Sequence, residues 1–224
     1  MPIDAPRPAG TESWEWRRSL GAFAGTTMLT SRNIRRIDGA PGGRHYQVEG
    51  FDEPFPSVTT VLGIINKTDL VPWPGNTALE SAEAALMART GHWEPISPEW
   101  VVEVIAEARR WPDQVRTEGA DFGTRSHILI DQIIQGLEPE IPPEMASVVR
   151  SFTDWREGAN LDIQITETKV YSAKYRYAGA MDALACRDGE LVALDWKPSN
   201  GFYPEYALQV AAYAKALEEM TGKP

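Results

Sequence analysis

The sequence predicts a mixed α/β protein of the α+β kind, and three observations carry that reading. Helical periodicity dominates from about residue 57 to 158, β-type runs follow from about residue 161, and a helical pattern returns after Pro204. Asp188-Gly189 stands between two of the β-type runs, which is the strongest short-range signal for an antiparallel hairpin. At 224 residues the chain is long enough to bury a sizeable core.

Residues 1–25 are rich in Pro, Gly and Ser and are expected to form a flexible N-terminal arm. From Asn33, short β-type runs alternate with Gly and Pro turns, predicting a small hairpin and then a helix that starts at Ser57 or Thr59. "NTALESAEAALMART" has apolar residues at helical spacing, and "SPEWVVEVIAEARRW" opens with Ser97 as N-cap and Pro98 in the first turn. "GADFGTRSHILIDQIIQG" reads as the next helix, with Gly136 as its C-terminal stop, and "EMASVVRSFTDWREGA" as a further one. The pattern then switches to strands in "IQITETKVYS", "YAGAMDALACR" and "GELVALDWK", before the helical "PEYALQVAAYAKALEEMTGKP".

Composition narrows the function. A single cysteine, Cys186, excludes an intramolecular disulfide and any multi-cysteine metal or iron–sulfur site, and reads as a small buried strand residue. No apolar run approaches the roughly 18 residues that span a bilayer, and the first residues lack a basic-then-apolar signal pattern, so a cytoplasmic protein without membrane contact is expected. The net charge of −10 argues against coating nucleic acid, because phosphate affinity comes largely from Lys and Arg. A local basic groove or bound cations would have to compensate.

The predicted hairpin sets a problem. If Asp188 and Gly189 form the turn, Arg187 faces Glu190, and counting back places Asp182 opposite Asp195. Like charges so placed, with Cβ atoms roughly 4.5–5.5 Å apart, are destabilising. Period-two alternation puts Lys197 on the face of Asp195. Two facing carboxylates near a lysine suit a divalent cation, since Mg²⁺ takes one or two carboxylates and completes its shell with water and phosphate oxygens. An exposed strand face or a lysine–acid salt bridge would account for the same residues.

"GAMD", the thirteen-residue step from Asp182 to Asp195, "DWK", and the Gln and Tyr of "LQVAAY" resemble the PD-(D/E)XK nuclease superfamily, specifically its RecB-like exonuclease branch. "GTRSH" is similar to that branch's helix histidine motif. "HYQVEGFDEPFPSVTTVLGIINKTDLVPW" is similar to the N-terminal stretch of its small stand-alone members, the mitochondrial genome maintenance exonucleases among them. The resemblance spans about residues 44–220. It implies a restriction-endonuclease-like core, a central mixed sheet flanked by helices, in a single domain over 26–224 with its strand-rich catalytic part at about 161–220.

Carried over, the motifs make Asp182 and Asp195 metal ligands for Mg²⁺ or Mn²⁺ and Lys197 the catalytic lysine. His127 joins them as a further ligand or phosphate contact; it shares a helix face with Gly123 and Asp131, and Gly123 leaves room for a close neighbour. Gln209 and Tyr213, four residues apart on one helix, face the hairpin or the DNA strand. Glu167 is either a further acidic contributor or a cross-strand partner of a basic residue. Ser57 and Thr59 either shape the substrate channel or cap a helix. "SRNIRR" and "RRWPDQVR" supply local positive charge, and Trp73, Trp93 and Trp196 are candidate stacking residues, Trp196 lying on the strand face away from the metals.

Two departures stand out. Pro198 follows Lys197 where relatives often carry a small hydroxyl residue, and the chain reaches Pro224 where relatives add one or two strands, so a truncated form or a smaller sheet is expected. The cluster-binding cysteines of some relatives are missing, so no iron–sulfur cluster is expected, and without a Walker-type loop any helicase or recombination partner is another chain. The expected activity is metal-dependent DNA hydrolysis from ends with a single-strand preference. Its rivals are an inactive nuclease-like DNA-binding or assembly subunit, a phage or mobile-element endonuclease, and an acidic protein binding a structural cation.

Overall fold

The structure, a computed structural model, describes residues 34–65, 72–199 and 201–222. The expected arm at 1–25 lies outside the described residues. In chain order the elements are β1 (Ile34–Ile37), β2 (His45–Val48), β3 (Phe55–Pro56), α1 (Val58–Leu62), α2 (Trp73–Ala88), α3 (Pro98–Ile134), a 3₁₀ turn (Pro143–Met145), α4 (Ala146–Ala159), β4 (Asp162–Ser172), β5 (Tyr177–Arg187), β6 (Glu190–Leu194) and α5 (Pro204–Thr221). The chain divides into two compact units, Met1–Ile64 with Ser126–Pro224, and Ile65–Arg125.

In the first unit the described strands make two antiparallel three-stranded sheets, β1-β2-β3 and β4-β5-β6, where the resemblance implies one mixed sheet. A parallel bridge between Ser57 and Ala178 links them. It extends no further because the chain turns into α1 at Ser57, whose hydroxyl accepts the Thr60 N–H at 2.9 Å as an N-cap.

β5 is the middle strand of its sheet, and most of its side chains are buried, alternate ones and their neighbours alike. That is why its sequence reads as a nearly unbroken run of small and apolar residues interrupted by Asp182. One core cluster joins Val58, Val170, Met181 and Leu184 to Tyr213, Ala216, Leu217 and Met220 of α5. The buried α5 positions recur at helical spacing, so the helix lays one face on the sheet. A second cluster, Ile34, Tyr46, Val48 and Phe55, closes on Ala178 at the start of β5.

The hairpin forms at Asp188-Gly189, both with positive φ (53° and 86°), and Arg187 pairs with Glu190. β6 ends at Leu194, short of the predicted Lys197, and the last ladder pair is Ala183 with Leu194. The Trp196 N–H turns to the Asp182 carboxylate instead of the ladder. Pro198 has no N–H to offer, and the Ser199 N–H closes on the Lys197 carbonyl at 2.8 Å, a three-residue turn centred on the proline. Trp196 packs edge-on against Phe152 and Trp155 of α4, with centroids 5.2 and 5.1 Å away.

In the second unit, α2 leads through a loop held by Arg89, which donates to the Pro95 carbonyl at 3.0 Å and lies over the Trp100 ring. Ser97 caps α3 through the Trp100 N–H. The two helices predicted on either side of Pro112 are one helix of 37 residues. A proline removes a single helical donor, and the helix-favouring stretches that flank it continue the ladder through that gap. At its far end, in the first unit, Gly136 takes φ 78°, with Gly136 N–H to Ile133 and Leu137 N–H to Gln132, the pattern that ends a helix on glycine.

The tightest approach in the sheet is at Gly179, where a Cβ would overlap the Tyr213 ring. Gly179→Ala is expected to cost about 1–3 kcal/mol and lower the thermal midpoint by several degrees, measured by calorimetry. An unchanged midpoint would show that the ring reseats freely.

Candidate active site

The polar groups of the first unit converge where β5, the end of β6, α5 and the last turns of α3 meet. Asp182 comes from the middle of β5. Its Oδ1 lies 3.0 Å from His127 Nδ1 on α3, and its Oδ2 accepts the Trp196 N–H. Asp195, one residue past β6, accepts Gln209 Nε2 on Oδ1 at 3.0 Å and contacts Lys197 Nζ through Oδ2. The Asp195 side chain is 4% exposed and that of Lys197 28%, so the acid sits inside and the ammonium at the mouth.

Gln209 is buried, and its amide nitrogen also donates to the Tyr213 hydroxyl at 2.8 Å. Tyr213 is 3% exposed, and burial pushes its phenol well above the ordinary value. The contacts of this pair run inward: Tyr213 braces Gln209, and Gln209 braces Asp195. Glu167 lies beside the site with φ 52°, between the ladder pairs Thr166–Ala183 and Thr168–Met181 that flank Asp182.

Three groups are displaced in one direction. Burial, then the neighbouring Asp182, raises the Asp195 carboxyl, and Lys197 offsets only part of this. Burial and Asp182 likewise raise Glu167. The hydrogen bond to Asp182 raises the His127 imidazole despite an opposing effect of burial. Burial is the larger cause for both carboxyls, with the Asp182 charge adding to it, while the imidazole is held up by its hydrogen bond.

Asp131, one turn beyond His127, adds to the field at Glu167, and its buried Oδ1 has no hydrogen-bond partner while Oδ2 accepts Gln135. Hard carboxylate oxygens with spare lone pairs and an orphaned acceptor are the donor chemistry that suits a divalent cation of the Mg²⁺ or Mn²⁺ kind. Among the described residues no group of three or more His, Cys, Asp or Glu side chains is placed to hold a metal ion by itself. Asp182 and Asp195, with His127 beside Asp182, are the residues that would hold such an ion, the remainder of its shell falling to water and phosphate oxygens.

The remaining predicted positions fall elsewhere. Ser57 is buried, with its hydroxyl engaged by Thr59 and Thr60, which is the helix-capping alternative; Thr59 is exposed. A Cβ on Gly123 would meet nothing within 4 Å. Trp73 and Trp93 belong to the second unit, as do the arginines of "RRWPDQVR", while Arg36 of β1 pairs with Asp38 at 2.7 Å. Two pockets, one lined by Glu80, Ala84 and Trp111 and the other by Arg156, Asp162 and Arg187, contain none of the clustered side chains. Sequence reasoning placed Asp131 on the His127 face without giving it a part in the site, and it missed Tyr206, whose ring centroid lies 5.7 Å from Lys197 Nζ, and the Trp196 amide. Asp131 was signalled by its i+4 spacing from His127, Tyr206 by its i−3 spacing from Gln209, and the Trp196 amide by nothing in the side-chain pattern.

A histidine raised in the fold stabilises it fully below its ordinary value of 6.5, and that contribution is lost as pH rises through the higher folded-state value. Raised carboxyls act in the same direction, losing stability as pH climbs past their ordinary range. In EDTA, the urea midpoint is therefore expected to fall between pH 6 and 8.5, and Asp182→Asn to flatten that fall. A wild-type midpoint that rises with pH over this range would contradict the upward displacement of His127. A scan against known protein families finds no match, and no curated protein matches the sequence.

Proposed function

We propose that the chain is a metal-dependent deoxyribonuclease that hydrolyses phosphodiester bonds, a RecB-like exonuclease working from DNA ends with a preference for single strands. The observation that carries this reading is the meeting of Asp182, Asp195 and Lys197 at the open end of one hairpin, with Asp195 held by Gln209 and Asp182 by His127. The motif resemblance selects the same five residues. The sheet β4-β5-β6 with α5 laid on it is read as the catalytic half of a restriction-endonuclease-like core.

In this reading Asp182 and Asp195, with His127, hold Mg²⁺ or Mn²⁺, which when bound polarises the scissile phosphate and stabilises the leaving 3′ oxygen. Lys197, at the mouth, orients the attacking water and offsets charge developing on the phosphate oxygens. Gln209 fixes the Asp195 carboxylate, Tyr213 fixes Gln209, and the Trp196 N–H fixes Asp182. Glu167 and Asp131 add negative potential that favours a cation over a bare carboxylate pair. No helix among the described residues is long and apolar enough to cross a membrane, and a cytoplasmic enzyme working with a separate helicase or recombination protein fits this chemistry.

The test is cleavage of end-labelled single- and double-stranded linear DNA and of a closed circle, with Mg²⁺, Mn²⁺ or EDTA. Linear DNA is expected to be lost only with metal, and Asp195→Ala and Lys197→Ala each to reduce the rate about a hundredfold or more. Cutting of the circle would identify an endonuclease. A folded wild-type protein that cuts nothing with either metal would leave the inactive DNA-binding or assembly subunit.

A further inference from the structure

Between Lys197 and the second turn of α5 the chain places three aromatic side chains, Phe202, Tyr203 and Tyr206. Lys197 Nζ lies 5.7 Å from the Tyr206 ring centroid, and Tyr203 meets Tyr206 edge to face with centroids 5.4 Å apart at 81°. Tyr203 is 49% exposed and Phe202, its neighbour in sequence, 102%, so both rings are open to solvent next to the Tyr206 ring that Lys197 approaches. Scattered exposed apolar side chains are ordinary on a protein surface, but three aromatics in five residues, beginning at the lysine of the site, are a patch. The edge-to-face pairing leaves at least one of the two tyrosines with both ring faces unused by the other.

We propose that Phe202, Tyr203 and Tyr206 form a stacking platform for the unpaired bases that flank the phosphate held at Asp182, Asp195 and Lys197. This rests on the nuclease reading and names residues that would set its preference for single strands. Two physical arguments favour bases as the occupant. A chain of net charge −10 gains little affinity from phosphate contacts, so its grip on a strand has to come from uncharged contacts, and base–aromatic stacking supplies them without regard to sequence. In a duplex each base face is covered by its neighbour, whereas an unpaired base offers its face to a ring, so an aromatic row discriminates by strandedness.

The test is fluorescence anisotropy in EDTA with a labelled oligothymidylate and an abasic oligonucleotide of equal length, which keeps the phosphates and removes the bases. The wild type is expected to bind the base-bearing strand about tenfold or more tightly than the abasic one. Phe202→Ala/Tyr203→Ala should lose that difference, bind oligothymidylate about tenfold more weakly, keep its abasic affinity and retain the wild-type circular dichroism and melting midpoint. Equal wild-type affinity for the two strands, no binding of either, or a variant that keeps the preference overturns the platform. Metal-dependent cleavage measured in parallel separates the two readings. Cleavage without base preference leaves the nuclease and removes the platform, and base-dependent binding without cleavage does the reverse.

Discussion

The turn at Asp188-Gly189 sets the register of β5 against β6, and the position of every charged group in the hairpin follows from it. Two consecutive residues with positive φ make a loop whose twist matches the flanking strands, so the pairing is pinned at Arg187–Glu190 and carried without a shift to Ala183–Leu194. A slip of one residue would send Asp195 and Lys197 to the face where Trp196 now packs on α4, and bring the indole to the acids. The aromatic contact of Trp196 with Phe152 and Trp155 therefore acts as a second lock on the same register.

Around that register the structure concentrates charge where burial penalises it. The Asp195 side chain is almost wholly enclosed, and burial together with the nearby Asp182 displaces both Asp195 and Glu167 upward. A fold that keeps acids in this state is less stable than one with apolar side chains in their place. The support beneath them is correspondingly elaborate: Gln209 holds Asp195, Tyr213 holds Gln209, and the absence of a side chain at Gly179 lets the Tyr213 ring lie against β5. Small residues in the middle of β5 and a bulky phenol on α5 are one arrangement seen from two elements.

Much of this was legible in the sequence where a local rule fixes geometry. The Asp-Gly turn, the Ser97 cap, the Gly136 stop and the β5–β6 register from Arg187–Glu190 to Ala183–Leu194 each follow from dihedral or alternation rules that need no tertiary information. His127 reached the site only through the motif resemblance, because nothing local says which face of a helix will meet which strand. The unbroken α3 was missed because a proline reads as a break, although Pro112 removes only one helical N–H. The separation into two sheets was missed because it depends on where Ser57 meets Ala178, a contact between residues far apart in the chain. The Trp196 amide was invisible because a strand's end is decided by competition for its N–H groups, and a carboxylate won.

The early end of β6 reaches beyond the site. β6 is an outer strand of its sheet, and unpaired outer strands invite other chains to add to them. With five residues, followed by a backbone whose amides are turned inward at Trp196 or missing at Pro198, it offers a poor template for that addition. The departure that delivers Lys197 to the acids thus also makes the β6 edge a poor place for another strand to add.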